Sequence, residues 1–200
     1  MKRITPLDRI ALLITGLIAA YQVVIGVEGL PNLTTWAYCT AFGVLIISSL
    51  LMIINGFDVL DSPLVVIIAA IIPLGLSLGM VVEELPAWSR GYTLFAGLGF
   101  LSILASRYTL PERAAAIALS LVHGIAGLII VTLPIALVLL GTKPMLYLFV
   151  SVGGGLIGAG GILLALLKTG KPILSAEKIF TLLPWILVLM SAAFVLGLGG

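Results

Sequence analysis

Two side chains in this 200-residue chain, Ser77 and His123, stand out as a possible nucleophile and base. Gly75-Leu76-Ser77-Leu78-Gly79 fits G-x-S-x-G, and His123, the one histidine, could act as the base of a Ser–His dyad. The surroundings argue against that chemistry. A nucleophile elbow needs a strand–turn–helix, whereas Ser77 sits inside a long apolar run. With both host helices running in the same direction, Ser77 lies near the far end of its helix and His123 near the middle of its own. At 1.5 Å rise per residue the two differ in depth by roughly 10 Å, beyond any hydrogen bond.

Glu83-Glu84 and Arg90 form the second constellation. These are the residue types of the glutamate-pair and arginine motif of intramembrane CAAX-type proteases. Here five residues separate Glu84 from Arg90 where that motif has three, and its further histidines are missing. A retinal-binding bundle is excluded by the last apolar run, which has no mid-span lysine, and by an expected orientation opposite to that of such bundles. The single cysteine, Cys39, permits neither an internal disulfide nor a thiolate metal or redox pair. His123 has no second ligand of matching type in the apolar runs, so no metal site and no cofactor is expected.

The elements that carry these residues are membrane-spanning helices. Hydrophobic residues make up 62% of the chain and charged residues 9%, against about 25% charged in a soluble domain. The whole chain reads as one embedded domain, and its scattered basic residues do not suggest nucleic acid as a partner. The first apolar run follows Lys2 and Arg3 but is long for a signal sequence and lacks a small-x-small cleavage site, so it is read as an uncleaved span. Charged residues divide the chain into seven apolar runs, at about 10–27, 34–54, 62–82, 89–106, 114–140, 145–167 and 179–198. The fourth is the shortest and must begin near Trp88 or thin the bilayer to cross it. The fifth belongs to a stretch of 29 residues without Asp, Glu, Lys or Arg. As a helix it measures roughly 43 Å against a hydrocarbon core of about 30 Å, so it must tilt, bend at Pro134 or project.

The expected fold is all-α: a polytopic membrane protein, a single bundle of seven transmembrane helices. Orientation follows from the basic residues. With the N-terminus inside, eight of them (Lys2, Arg3, Arg9, Arg107, Arg113, Lys168, Lys171 and Lys178) are cytoplasmic, and two, Arg90 and Lys143, are outside. The C-terminus then lies outside, and the expected location is the cell membrane, crossed several times. Glu28, Glu83 and Glu84 fall on the outer side, where Trp36 with Tyr38 and Trp88 with Tyr92 are placed to form an aromatic belt. Helix-start signals at Thr5-Pro6 with Asp8, at Asp61-Ser62-Pro63, at Thr109-Leu110-Pro111-Glu112 and at Ser175 with Glu177 account for Asp8, Asp61 and Glu112 as caps rather than functional groups.

A helical-hairpin repeat is hinted at by Val27-Glu28-Gly29-Leu30-Pro31, which matches Val82-Glu83-Glu84-Leu85-Pro86 at four of five positions. Pro73, Pro134 and Pro184 recur in the odd-numbered runs, as tolerated kinks or as points where backbone unwinds around a solute.

Three polar side chains lie inside spans: His123, Gln22 and Ser77. Gln22 is expected to join helices. His123 is expected to be a neutral imidazole hydrogen-bonded to a neighbouring helix brought close by Gly124 and Gly127, with proton transfer or solute contact as the functional alternative. The sixth run offers Gly154 and Gly158 as a GxxxG pair and Ser151, Gly155 and Ala159 as a parallel small-residue stripe. Small residues let helices approach closely, within this bundle or against a membrane-protein partner or second copy. Besides the lipid bilayer, such a partner is the one association the sequence suggests. Without a catalytic set, the reading favours a non-catalytic membrane subunit or scaffold. The alternative is a small-solute transporter or channel with a pathway near the bilayer midplane around His123.

Overall fold

The computed structural model describes residues 3–25, 29–30, 32–168 and 170–199. Among them the chain is all helix and turn. α1 (Pro6–Val24) starts at a capping box in which Thr5 accepts from the Asp8 N–H and the Asp8 carboxylate accepts from the Thr5 N–H. α2 (Asn32–Asn55) stops at Gly56, whose φ of 74° suits a residue without Cβ, so Asn55-Gly56 is a helix stop and turn. A 3₁₀ turn over Gly56–Asp61 tucks Phe57 under the bundle, its ring stacked on Phe180 at 5.2 Å.

The third run is a broken helix, α3 (Pro63–Ala69) followed by α4 (Ile71–Glu84). Pro73 has no N–H to give the carbonyl four residues back, and the next bond, Leu74 N–H to Ala70 O, is long at 3.4 Å. Pro134 and Pro184, by contrast, sit inside continuous helices. α5 (Ser89–Thr109) and α6 (Glu112–Leu139) follow, then α7 (Leu148–Lys168) and α8 (Ala176–Leu198). Pro63 occupies the first turn of α3, and Ser175 accepts from the Lys178 N–H at the start of α8. Val27, Glu28 and Pro31 of the repeat hint and the Glu112 side chain lie outside what is described.

Six of the seven rods, counting α3 with α4 as one, are long and apolar enough to cross a membrane. α5 is the exception, with Arg90 and Arg107 near its two ends. It nonetheless returns alongside α4, since the Tyr92 hydroxyl reaches Ser77 and Gly99 meets Val122 of α6. The protein is therefore an all-α, multi-pass membrane bundle.

The rods form a closed ring in the order α1, α2, α4, α6, α7, α8 and back to α1, with α5 packed outside against α4 and α6. The interior of the ring is filled: Phe42, Met80, Ile130, Met190 and Phe194 are each at most 1% exposed, and Phe42 and Phe194 meet edge to face. A second cluster joins α3 and α4 to α5 and α6, and a third closes the end where the chain starts, around Leu12, Met52, Phe57 and Phe180.

Candidate functional site

The most polar buried cluster lies at the end of the bundle that the charge asymmetry assigns to the outside, called the outer end below. Four elements build it. α4 ends on Glu83 and Glu84. α6 runs out at Leu139, and Gly141, with φ of 72°, reverses the chain while the Thr142 hydroxyl donates to the Leu137 carbonyl. That reversal aims Lys143 back over α4, and its Nζ lies 2.6 Å from Glu84 Oε1 and 3.5 Å from Glu83 Oε1. The 3₁₀ turn Met145–Tyr147 then sets the Tyr147 ring beneath the ammonium, 5.1 Å from centroid to Nζ. Tyr38 of α2 completes the group, its ring filling the space that a Cβ at Gly79 would occupy.

Lys143 and Glu83 keep 27% of their side-chain surface and Glu84 keeps 10%, so the charges sit at a rim. Burial disfavours the Lys143 ammonium, but the carboxylates of Glu84 and Glu83 outweigh it and hold the lysine above its usual range. The two tyrosines are deeper, 1% and 4% exposed. Both hydroxyls lie against the carboxylates, Tyr38 near enough to donate to Glu83 and Tyr147 to Glu84. Tyr38 is therefore no part of an interfacial belt, unlike Trp36 and Trp88, which are 73% and 71% exposed. The periodicity could have shown this, because Tyr38 shares a face of α2 with Phe42 and Leu45. Lys143 and an acidic pair, all on one side of the bundle, were the sequence signal for the cluster itself.

The polar side chains within the spans are scattered by comparison. Ser77 is fully buried, and its hydroxyl donates to the Pro73 carbonyl at 2.6 Å, a local back-bond within the helix. It accepts from the Tyr92 hydroxyl at 2.8 Å, which ties α5 to α4. Tyr92 thus points inward as well. His123 is half-buried on α6, and its Nδ1 is buried without a hydrogen-bond partner among the described residues. Nothing stands within 4 Å of a Cβ added at Gly124 or Gly127, so the close approach expected beside His123 does not occur there. Ser77 and His123 are not brought together as a dyad. Gln22 is fully buried on α1. No group of three or more His, Cys, Asp or Glu side chains is close enough to hold a metal among the described residues.

On α7 the small residues divide. The Ser151 hydroxyl donates to the Val131 carbonyl of α6 at 2.7 Å, and a Cβ at Gly154 would come within 2.7 Å of Ile130. Gly155, Gly158 and Ala159 are exposed, and the two glycines have open space where a Cβ would be. A crossing that uses both glycines of such a pair lies elsewhere. Gly75 and Gly79, four residues apart on α4, press on Ala37 and Tyr38 of α2, and a Cβ at Gly75 would sit 2.7 Å from the Ala37 carbonyl oxygen. Read as the frame of a catalytic serine, that pair is in fact the GxxxG contact of the bundle.

Compared with family models, with curated proteins and with solved structures, this chain matches none of them.

Proposed function

We propose that this chain is a non-catalytic membrane subunit or scaffold that packs against other membrane proteins through its α6–α7 side. The observation that carries the reading is the open small-residue face of α7. Val152, Gly155, Ala159 and Ile162 share one exposed stripe, with Gly158 beside it. Within their apolar stretches α6 and α7 are each 22% buried inside the bundle, against 61% for the α3–α4 unit. In lipid, helices associate by close van der Waals approach, and small residues on an uncovered face allow it. The filled ring interior supports the same reading, because Phe42, Met80, Met190 and Phe194 occupy the place where a central pathway would run.

The second reading is a small-solute transporter or channel. It is favoured by the charged cluster at the outer end and by the break in the third rod, since broken helices often frame transport sites. Under either reading the cell membrane, with the N-terminus inside, is the proposed location.

One experiment separates the two. The chain is purified in mild detergent after crosslinking in the membrane, in wild type and in Gly158→Leu. A subunit gives a defined crosslinked partner or dimer that Gly158→Leu weakens while the chain itself stays folded. A lone monomer in both samples, together with solute uptake by vesicles carrying the pure protein, would replace this reading with the transporter.

A further inference from the structure

We propose that the cavity between the start of α1 and the turn after α2 binds the headgroup of a phospholipid that carries both a phosphate and a primary ammonium, with the phosphate on Arg3 and Arg9 and the ammonium on Asp58. The proposal is independent of the subunit reading. The cavity measures about 480 Å³ and lies at the end of the bundle where the chain starts. Arg3 and Arg9 line it from one segment, Asn55 and Asp58 from the other. Both walls are set by local structure. The Thr5–Asp8 capping box fixes the start of α1, and Gly56, at φ 74°, turns the chain back after α2. Among the described residues, none of the four polar lining side chains is held by an ion pair or a hydrogen bond. Asp8, the acid next to Arg9, is buried in its capping box and does not line the cavity.

Two guanidiniums and one carboxylate make a charge pattern that a zwitterionic headgroup completes. The guanidinium fork matches phosphate oxygens, and basic pockets between membrane helices hold lipid head groups. The Asp58 carboxylate suits the three N–H donors of a primary ammonium and opposes a ligand that is anionic throughout. The depth fits as well. Arg9 directly precedes the first apolar run and Asn55 directly follows the residue that ends the second, so both stand at the level of lipid phosphates. A second observation points to a lipid rather than a soluble phosphoester. Ile54, which lines the cavity, continues into Leu50 and Ile47 on one face of α2, and all three are exposed. That stripe leads from the cavity into the bilayer, where an acyl chain attached to the headgroup would lie.

Thermal denaturation of the full chain, delipidated in mild detergent, tests this with short-chain phosphatidylethanolamine. The lipid should raise the melting temperature with a saturating dose dependence, as a ligand of the folded state does. Phosphatidylcholine with the same chains lacks the N–H donors and should bind about tenfold more weakly. Free phosphoethanolamine has the headgroup without the chains and should give no shift at the same concentration. Arg3→Gln combined with Arg9→Gln should remove the lipid's effect. Asp58→Asn should keep binding but erase the preference for ethanolamine over choline. These positions are exposed, so the variants should fold; if the double variant is not recovered, Arg9→Gln alone is titrated and should weaken binding. Equal binding of the two lipids, a shift from free phosphoethanolamine that matches the lipid's, or a lipid effect that survives loss of the arginines would each overturn the proposal.

Discussion

α4 and α7 both carry glycines four residues apart, and they use them in opposite ways. Gly75 and Gly79 are closed over by Ala37, Ala41 and Tyr38 of α2. On α7 the spacing is half used: Gly154 meets Ile130 and Val131, whereas Gly158, one turn on, has nothing within 4 Å. The spacing is the same; the neighbour differs. A GxxxG pair states that a helix can be approached closely, and the ring order decides whether a helix of the same chain does so. α4 sits between α2, α6 and α5, with partners on most sides, while α7 touches only α6 and α8 along its length.

The sharpest way to break the contrast is to fill both glycine pairs. Gly79→Leu would drive a side chain into the Tyr38 ring, with no flexible end to yield, and should cost about 3 kcal/mol or prevent recovery of folded protein. Gly154→Leu meets the branched ends of Ile130 and Val131, which can shift, and should cost about 1–2 kcal/mol. Gly158→Leu in the isolated chain should stay within about 0.5 kcal/mol of wild type, as exposed substitutions do. Denaturation in detergent ranks the three. Equal losses at positions 79 and 158 would remove the distinction.

The ion pair of Lys143 has a smaller effect, because its charges remain partly in water. Lys143→Met should cost about 1 kcal/mol, near the upper end for exposed pairs. The sign of its pH dependence is fixed. The lysine is held above its ordinary value, so its contribution is complete below about pH 10.4, the unfolded value, and fades as pH rises through the folded one. The melting difference between wild type and Lys143→Met should be constant at neutral pH and shrink in strong alkali. A difference that grows with alkali would contradict the geometry.

His123 is expected to matter least. Its Nδ1 has no described partner to strand, so His123→Leu and His123→Gln should both lie within about 0.5 kcal/mol of wild type. A loss of more than 1 kcal/mol for leucine alone would reveal a hydrogen-bond partner.

Spans, turns and two of the four expected caps, at Thr5 and Ser175, were legible in the sequence because each is a local property, whereas Ser62 before α3 and Pro111 before α6 make no side-chain cap. A charge-free run, a Thr5–Asp8 capping box or an Asn55-Gly56 stop needs no knowledge of neighbours. The outer cluster was legible in part: Glu83, Glu84 and Lys143 could be assigned to one side, but not to one another, since that requires α6 to follow α4 around the ring. Tyr38 was misplaced because composition near a membrane surface suggests a belt, whereas the face it shares with Phe42 turns it inward. The break at Ala70 follows from Pro73, but three prolines recur in odd-numbered runs and one of them interrupts its helix, a choice made by packing.

The ring closes where α8 lies against α1, and this sets an order of events during synthesis. α1 is made before α8, and its buried face, with Leu12, Thr15 and Ala19, is shared between α2 and α8. Roughly 150 residues separate the end of α1 from the start of α8, which at 5–20 residues per second is about 8–30 s of translation. For that interval α1 stands in the membrane with one flank unmatched. A lipid, an insertion factor or another chain can occupy the flank in the meantime, and the arrival of α8 must displace it. A protein truncated before α8 would keep that flank open, so quality control that recognises unmatched membrane helices would read α1 to learn whether α8 has arrived.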